Sequence, residues 1–498
     1  MADADPITSG LANLDYILDG GFAQNRSHLI EGHPGSGKTT LAIRFLIAGR
    51  DRGERCLFIT MAESPLEMRH AAHTHGLSLD GIELFECTPP RLLLDPEQYQ
   101  SVMHAADIEL GETVRAIIAA VRASRPTLLV IDSLSELRLL AEGTVRFRRQ
   151  VLALKQFFFE QGCTVLLLDD LAIIEDDLIL HSIAHGVVRL EQLAMEYGAE
   201  RRRLRVIKMR GRAFRGGYHD FIISKGGLEI FPRHHTETAE TALMANIQFS
   251  TGNAGIDLLL GGGLDAGTTS LIHGTTGTGK STLALQCIHA RLEQGQRAMF
   301  VSFEETLRNF QKRAAGLGLP ITKYLASGAL TFVNVDPAET SAGHLSNMIS
   351  YHVADGAVSV VIDSLSGYRR ALRDDNFMML HMHELITFLN QQNVVTILIL
   401  SQTGLTGASS PTFDITYLAD TLFLLRFFEA AGEMRRGLAV IKRRTGQHEQ
   451  TMRELFFDSQ GLQVGPPLKN FESVLVGGPV YTGDVAALLR ARGAAAAA

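Results

Sequence analysis

The chain carries, at residues 32–39, the sequence Gly32-His33-Pro34-Gly35-Ser36-Gly37-Lys38-Thr39, and it repeats the pattern later as Gly274-Thr275-Thr276-Gly277-Thr278-Gly279-Lys280-Ser281. Both stretches fit the phosphate-binding loop G-x-x-x-x-G-K-[ST]. In this loop the glycines let backbone N–H groups close around phosphate oxygens, the lysine brings a positive charge to the outer phosphates, and the Ser or Thr hydroxyl ligates Mg²⁺. The two matches predict two nucleoside triphosphate sites, each continued by one further threonine, Thr40 or Thr282.

The two loops belong to a longer internal repeat. Lys38 and Lys280 lie 242 positions apart, and the lead-in T-S-G-L-A-N-L-D at residues 8–15 returns at the same offset as S-T-G-N-A-G-I-D at residues 250–257. A pair of glycines at 20–21 returns at 262–263. A repeat of this length indicates a duplicated domain and not a solenoid of short units.

Length and composition agree with two domains. The chain has 498 residues, which is too long for one core and suits two domains of about 230 residues each. Apolar residues make up 46% and charged residues 20%, so the chain can fill two packed cores and is not disordered. The net charge of −7 argues against a dedicated nucleic-acid binder, which usually presents a basic face.

Several other classes are disfavoured. The four cysteines are scattered and form no C-x-x-C pair, which predicts neither a metal cluster nor a disulfide framework. The acidic N-terminus is followed by no apolar segment of the kind found in a signal peptide. The longest apolar stretch, Leu166–Ile183, is interrupted by acidic residues and is no membrane span. We therefore expect a cytoplasmic protein.

Each half alternates short β-rich runs with longer helical runs, which predicts an α/β fold with a mostly parallel sheet flanked by helices. The first half is predicted to contain a helix at Thr39–Gly49 and strands at Ser27–Glu31, Cys56–Thr60, Leu128–Asp132, Thr164–Leu168, and a late antiparallel pair at Val187–Leu190 and Arg203–Arg210. The second half repeats this with strands at Thr269–His273, Met299–Phe303, Val358–Asp363, Val395–Leu400, Thr421–Phe427 and Gly437–Lys442. The expected domains are 1–235 and 247–465, joined by a linker at 236–246 and followed by a tail at 466–498.

Each phosphate-binding loop has a candidate partner carboxylate. Asp132 and Asp363 both end a buried apolar strand and both precede a serine. A P-loop needs such a carboxylate, on a neighbouring strand, to hold Mg²⁺ together with the loop hydroxyl. The metal ligands are therefore predicted to be Thr39 with Asp132 and Ser281 with Asp363. The alternative is that each Asp only caps the helix that follows.

A catalytic base is predicted at the end of another strand. In the second half, Glu304 and Glu305 are adjacent carboxylates, one of which can polarise a water or hydroxyl nucleophile while the other orients nearby groups. The first half keeps only Glu63, because Ala62 stands where Glu304 stands. The alternative interpretation of the pair is a solvated loop.

Basic residues end the last predicted strand of each half. Lys208 and Arg210 match Lys442 and Arg444, and strand alternation puts each pair on one face. They are far in sequence from their own P-loop, so they could act in trans on the nucleotide of a neighbouring subunit. The alternative is a solvated sheet edge.

Taken together, these motifs resemble the KaiC family of circadian clock ATPases and autokinases. The most specific elements are the tandem P-loops, F-E-E-T at 303–306, D-S-L-S at 132–135 and 363–366, K-M-R-G at 208–211, K-R-R-T at 442–445 and L-K-N-F-E at 468–472. The resemblance implies a two-tiered homohexamer of RecA-like domains with ATP and Mg²⁺ at the subunit interfaces, and a regulatory partner such as a KaiB-like protein. It also implies a slow ATPase in the first tier and an autokinase in the second.

The resemblance implies roles for further residues. Glu304 would be the general base of the kinase, and Arg370 would join the cations that act in trans. Family acceptors are adjacent hydroxyl residues just before an Asp-Thr pair, which here is Asp420-Thr421, so the matching acceptors are Thr416 and Tyr417. Cyanobacterial members carry Ser-Thr at this place, so the tyrosine is a departure, as is Ala62 in the first half.

Two other functions remain open. A RecA-like recombinase or ring helicase would use the same fold but needs basic loops around nucleic acid. The candidate loops, Leu137–Phe147 and Gly404–Tyr417, are nearly free of lysine, although Arg138 and Arg146 leave room for this hypothesis. A scaffold that uses ATP only to assemble is disfavoured by the Glu304 and Asp363 pair.

Overall fold

A computed structural model describes residues 5–87, 102–141, 143–171, 178–195, 197–234, 247–370, 375–402, 415–430, 432–458, 461–469, 471–472 and 480–481. The predicted linker at 236–246 and most of the predicted tail lie outside these residues. The chain forms two compact units that divide between Arg233 and His234. Residues up to Arg233 form the first unit, and residues from His234 onward form the second unit.

The first unit has one nine-stranded sheet in the order β3-β2-β4-β5-β1-β6-β7-β8-β9. Its strands are β1 Ser27–Gly32, β2 Cys56–Thr60, β3 Glu83–Glu86, β4 Leu128–Asp132, β5 Thr164–Asp170, β6 Gly186–Leu193, β7 Arg201–Met209, β8 His219–Ser224 and β9 Gly227–Phe231. Its helices are α1 Ala12–Ile17, α2 Lys38–Asp51, α3 Pro65–Thr74, α4 Val102–Ser124, α5 Leu134–Leu140, α6 Thr144–Glu160 and α7 Leu178–Ile183. Strands β1 to β6 run parallel, and β7 to β9 continue as an antiparallel ladder.

The second unit repeats this topology in the order β14-β13-β15-β16-β12-β17-β18-β19-β20. Its sheet strands are β12 Thr269–Thr275, β13 Arg297–Ser302, β14 Leu330–Asn334, β15 Ala357–Asp363, β16 Val395–Gln402, β17 Thr421–Ala430, β18 Glu433–Arg443, β19 Arg453–Asp458 and β20 Gly461–Pro467. Short pairs are formed by β10 Gln248–Phe249 with β11 Leu264–Asp265 and by β21 Phe471–Glu472 with β22 Val480–Tyr481. The helices are α8 Ala254–Leu260, α9 Lys280–Glu293, α10 Leu307–Gly316, α11 Thr322–Ser327, α12 Ala342–Ala354, α13 Leu365–Arg370 and α14 Asp375–Gln391.

The core lies on both faces of each sheet, because the central strands are apolar at successive positions. In β1, Ile30 packs with Leu41 and Phe45 of α2, whereas its neighbour Leu29 faces the cluster that contains Phe158 of α6. Successive side chains of the strand thus pack into the hydrophobic clusters on opposite faces of the sheet. Burial of each such side chain contributes about 1.5–3 kcal/mol. The predicted α/β class, with a mostly parallel sheet in each half, is confirmed.

The structure differs from the sequence prediction mainly at the sheet edges. Strand β7 begins at Arg201, two residues before the predicted start at Arg203. Strands β3, β8 and β9 were not predicted, and β3 shows why, since all four of its residues are exposed or half-buried. A strand without a continuous apolar run or a clean alternation gives little sequence signal. Within the part of the chain that the structure describes, no helix is long and apolar enough to span a bilayer.

Candidate nucleotide sites

Both P-loops connect a central parallel strand to the helix that follows it. The loops lie between β1 and α2 and between β12 and α9, so each helix begins at its P-loop lysine. Gly37 and Gly279 have φ of 99° and 101°, a left-handed conformation that favours glycine. A Cβ on Gly274 would lie 2.3 Å from the carbonyl oxygen of Leu425, so the backbone there has no room for a side chain. The geometry required of a phosphate cradle is therefore present twice.

At the first site, the ammonium group of Lys38 has three oxygen partners. Its Nζ donates to the carbonyl oxygens of Gly32 at 2.8 Å and His33 at 3.1 Å, and it forms an ion pair with Oδ1 of Asp170 at 2.8 Å. Asp170 is the last residue of β5 and is paired with Gly32 in the β1–β5 register. This carboxylate was not among the predicted site residues.

The predicted metal ligands of the first site are in contact. The hydroxyl of Thr39 donates to Oδ2 of Asp132 at 2.8 Å. Burial raises the pKa of Asp132 above its usual range, while the Thr39 hydrogen bond and Lys38 oppose this and the charges of Glu63 and Asp170 add to it. A hydroxyl beside a carboxylate offers the hard oxygen ligands that suit Mg²⁺.

The second site has a different set of partners around its lysine. Lys280 Nζ donates to the carbonyl oxygen of Thr275 at 2.9 Å, and among the described residues it forms no ion pair with a carboxylate. Burial lowers the pKa of Lys280, and Asp363 and Glu304 oppose this. Burial likewise raises the pKa of Asp363, and a hydrogen bond from Ser281 opposes that shift. Ser281 and Asp363 therefore meet in the same way as their counterparts in the first site.

The two adjacent glutamates of the second site have different surroundings. Oε1 of Glu304 accepts a hydrogen bond from Ser364 Oγ at 3.2 Å, beside Asp363. Glu305 forms a two-point ion pair with Arg313 of α10, at 3.1 Å and 2.6 Å. Its charge is thus neutralised, which leaves Glu304 as the available carboxylate. The first unit has Ala71 at the position of Arg313, and Glu63 is exposed.

Four of the five predicted trans-acting cations have described partners in their own chain. Lys442 Nζ donates to the carbonyl oxygens of Thr416 at 2.9 Å and Ala419 at 2.7 Å, and Arg444 donates to that of Tyr417 at 2.6 Å. These cations therefore hold the segment Ile415–Ala419, named here the acceptor turn, against the sheet.

The first unit has the same arrangement around the end of α7. Lys208 donates to the carbonyl oxygens of His181 and Ala184, and Arg210 donates to that of Ser182 at 2.6 Å. These contacts match those of Lys442 and Arg444 one for one, so His181 stands where Thr416 stands and Ser182 where Tyr417 stands. Neither correspondence was predicted from the sequence.

The acceptor candidates Thr416 and Tyr417 lie near the start of the described segment 415–430. Tyr417 is 51% exposed, and Thr416 precedes it in the acceptor turn. The hydroxyl-rich stretch 409–414 lies outside the described residues. Arg370 is the last residue of α13, and its side chain lies outside what is described. Its predicted trans-acting role therefore stays a prediction, as do the roles of the other site residues.

The first unit contains a buried polar network around Glu31 that the sequence does not predict. Glu31 of β1 is bound by His181 Nε2 at 2.8 Å and Arg189 Nε at 2.6 Å. Burial alone would raise the pKa of Glu31, but the hydrogen bonds from these two residues outweigh it and hold that pKa below its usual range. No local motif could predict this network, because its members come together only through strand register and helix packing.

Metal binding by protein groups alone has no support within the described residues. They contain no group of three or more His, Cys, Asp or Glu side chains arranged to hold a metal ion. Mg²⁺ at nucleotide sites usually takes one or two protein ligands and completes its shell with water and phosphate oxygens. The Thr39–Asp132 and Ser281–Asp363 pairs fit that requirement.

Comparisons with known proteins agree with this architecture. A family model described as "ATPase: KaiC" matches residues 7–235 and 249–469, once in each repeat. The circadian clock protein KaiC3 of Synechocystis sp. is 28% identical over 487 residues, which cover 96% of this chain and 95% of that protein. The circadian clock oscillator protein KaiC of Thermostichus vulcanus is 26% identical over 491 residues, which cover 96% of this chain and 92% of that protein. Because the family matches take in most of both repeats and each repeat has a P-loop with its partner carboxylate, the chain belongs to the KaiC family of nucleotide-binding ATPases.

Proposed function

We propose that this protein is a KaiC-like timing component that hydrolyses ATP at both sites, with Mg²⁺, and transfers phosphate to its own second unit. The relatives named above as clock proteins support the timing role. The observation that carries the kinase assignment is the difference between the sites, since only the second site combines Glu304 with an adjacent Glu305 that Arg313 neutralises. Residues 1–235 and 247–465 are the proposed domains.

The side chains of the second site suit transfer to a hydroxyl group. Mg·ATP supplies the γ-phosphoryl group, and Lys280, Ser281 and Asp363 would hold the phosphates and the metal. Glu304 is proposed to accept the proton of the attacking hydroxyl, with Ser364 fixing its orientation. Stabilisation of the charge that develops on the transferred group would come from Lys280 and the metal.

Thr416 is the proposed acceptor, and Tyr417 a weaker one. The acceptor turn is anchored to Lys442 and Arg444 through the backbone carbonyl oxygens of Thr416, Tyr417 and Ala419. Tyr417 is exposed, but a phenol reaches further than a Thr hydroxyl. A rigidly held hydroxyl residue suits phosphoryl transfer, in which positioning supplies much of the rate.

Assembly into a homohexamer with ATP at the interfaces is part of the proposal. Lys208, Arg210, Lys442 and Arg444, with Arg370, would contact the nucleotide of a neighbouring subunit. Any such contact has to add to the carbonyl contacts these four residues make in their own chain. Binding of an interfacial ligand would then stabilise the ring by linkage. A KaiB-like regulatory protein is the proposed partner.

Phosphopeptide mapping after incubation with Mg·ATP tests the kinase assignment. The Glu304→Gln variant should lose phosphate on Thr416 by about 10²- to 10⁴-fold, the usual loss when a general base is removed. Glu293→Gln, at an exposed glutamate that ends α9, is the matched control and should behave as the wild type. Phosphate found only on other residues, or undiminished in Glu304→Gln, would contradict the assignment.

A further inference from the structure

The lysines of the two P-loops differ in how many of their donors are already used. An ammonium group has three N–H donors. Lys38 directs its three contacts to two P-loop carbonyl oxygens and to Asp170. Lys280 has one such contact, to Thr275, within the described residues. A phosphate arriving at Lys38 therefore has to replace a partner, whereas one arriving at Lys280 does not.

Asp170 is the partner of Lys38 that can be exchanged. The carbonyl oxygens of Gly32 and His33 belong to the P-loop itself and stay with it, while the Asp170 side chain is 40% exposed and joins the site from β5. The corresponding position in the second unit is Ser401, which pairs with Gly274 as Asp170 pairs with Gly32. The second unit thus lacks this carboxylate at the same place in the sheet.

The backbone of Asp170 is fixed by its surroundings. Its N–H donates to Ser135 Oγ at 3.1 Å, and the same hydroxyl donates to Oδ1 of the neighbouring Asp169 at 3.0 Å. Arg138 holds the other oxygen of Asp169 at 2.6 Å. Asp169 therefore has its own partners in α5, which leaves the Asp170 side chain as the one committed to Lys38.

We propose that Asp170 is a built-in competing anion that occupies the P-loop lysine of the first site until a nucleotide phosphate displaces it. The inference rests on the proposed binding of ATP at this site. Because the displaced carboxylate stays near the bound phosphates and repels them, it lowers the affinity of the first site relative to the second. Asp170 is a positioning residue in this scheme, since it acts through Lys38 and sets how tightly nucleotide binds.

Calorimetric titration of the full-length chain with a non-hydrolysable Mg·ATP analogue tests the proposal. In a Lys280→Ala background, only the first site binds. Asp170→Ser, which copies the second unit, should lower Kd about fivefold, the factor given by about 1 kcal/mol for a partly exposed ion pair. Asp170→Asn keeps the shape of the side chain but removes its charge, and it should also lower Kd. Asp51→Asn, at an exposed carboxylate, is the control.

The reciprocal change uses the second site. In a Lys38→Ala background, Ser401→Asp should raise Kd by a similar factor. A merely structural role for Asp170 would weaken binding when the residue is replaced, so tighter binding is the diagnostic sign. Unchanged or higher Kd in both Asp170 variants overturns the proposal, as does a loss of ATP turnover at unchanged Kd, which would instead assign Asp170 to the chemical step. If the parent chain with an intact first P-loop binds no nucleotide, the proposed function fails as well.

Discussion

The two nucleotide sites share a lysine, a hydroxyl and a strand-end aspartate, yet they surround these groups with different carboxylates. The first site pairs Lys38 with Asp170 and has Ala62 where a second glutamate could stand. The second has Ser401 at the former position and Glu304 at the latter. The two units thus share the sheet that positions the P-loop, and they differ in a few residues at strand ends that would set what each site can do with a bound phosphate.

The P-loop lysines provide the strongest test of this division. Lys38→Ala is expected to remove nucleotide binding and ring assembly in the first unit, and Lys280→Ala to abolish autophosphorylation, because each mutation deletes the charge that holds the outer phosphates. Light scattering with Mg·ATP measures assembly, and intact-mass measurement counts phosphates.

One result for the two lysine variants would contradict this division. If Lys38→Ala rings still assemble but incorporate no phosphate, the kinase cannot be confined to the second site. Lys312→Met, which removes an exposed lysine of α10 outside both loops, is the control for loss of a positive charge.

Low pH should destabilise the first unit through a buried histidine, His28, at the position where the second unit has Ser270. His28 is fully buried and bound to the carbonyl oxygen of Ala23 at 2.9 Å. Burial lowers its pKa to about 4, the Ala23 bond opposes this, and His185 adds to the lowering. The unfolded chain takes up this proton near pH 6.5 and the folded chain only near pH 4, so stability present above pH 6.5 is lost as the pH falls.

The free energy of unfolding is expected to fall, through His28 alone, by about 2 kcal/mol by pH 5 and by about 3 kcal/mol by pH 4. Urea unfolding of the wild type and of His28→Ser at pH 7.5 and pH 5 measures it. The His28→Ser variant loses packing at both pH values, so the wild type should have the larger free energy of unfolding at pH 7.5. That difference between wild type and variant should be smaller at pH 5. An exposed histidine changed in the same way, His73→Ser, is the control. An advantage that does not change with pH would show that His28 does not titrate as the structure indicates.

A smaller effect is expected from Arg313, which has no counterpart in the first unit. Arg313→Met leaves Glu305 without its ion-pair partner and removes a charge that lowers the pKa of Asp363. More negative charge around the phosphates should weaken Mg·ATP binding at the second site about tenfold, as for a charge-assisted pair worth about 1.4 kcal/mol.

The first site provides the internal reference for that experiment. Its affinity should not change in Arg313→Met, and the adjacent Lys312→Met should change neither site. Equal weakening of both sites would mean that the mutation disturbs the whole chain and not the Glu305 environment.

The parts of the fold that the sequence predicts correctly are the local ones, and the roles of the site residues stay predictions. The P-loops, the Asp132 and Asp363 strand ends and the alternation of strands and helices are written in contiguous residues, and the α/β class and the family are confirmed. The sequence does not predict the contact of Asp170 with Lys38, because Asp170 lies two residues beyond the predicted strand Thr164–Leu168 and the contact depends on β1 and β5 being neighbours. The edge strand β3 is not predicted either, because all four of its residues are exposed or half-buried.

The acceptor turn has a consequence for how such proteins can evolve. Lys442 and Arg444 hold that turn through backbone oxygens, and Lys208 and Arg210 hold its counterpart through the same atoms although the residue there is His181. Because these hydrogen bonds use backbone oxygens only, they do not depend on which side chain stands at the position. The proposed acceptor residue could therefore be gained, lost or replaced by a single codon change without rebuilding the fold.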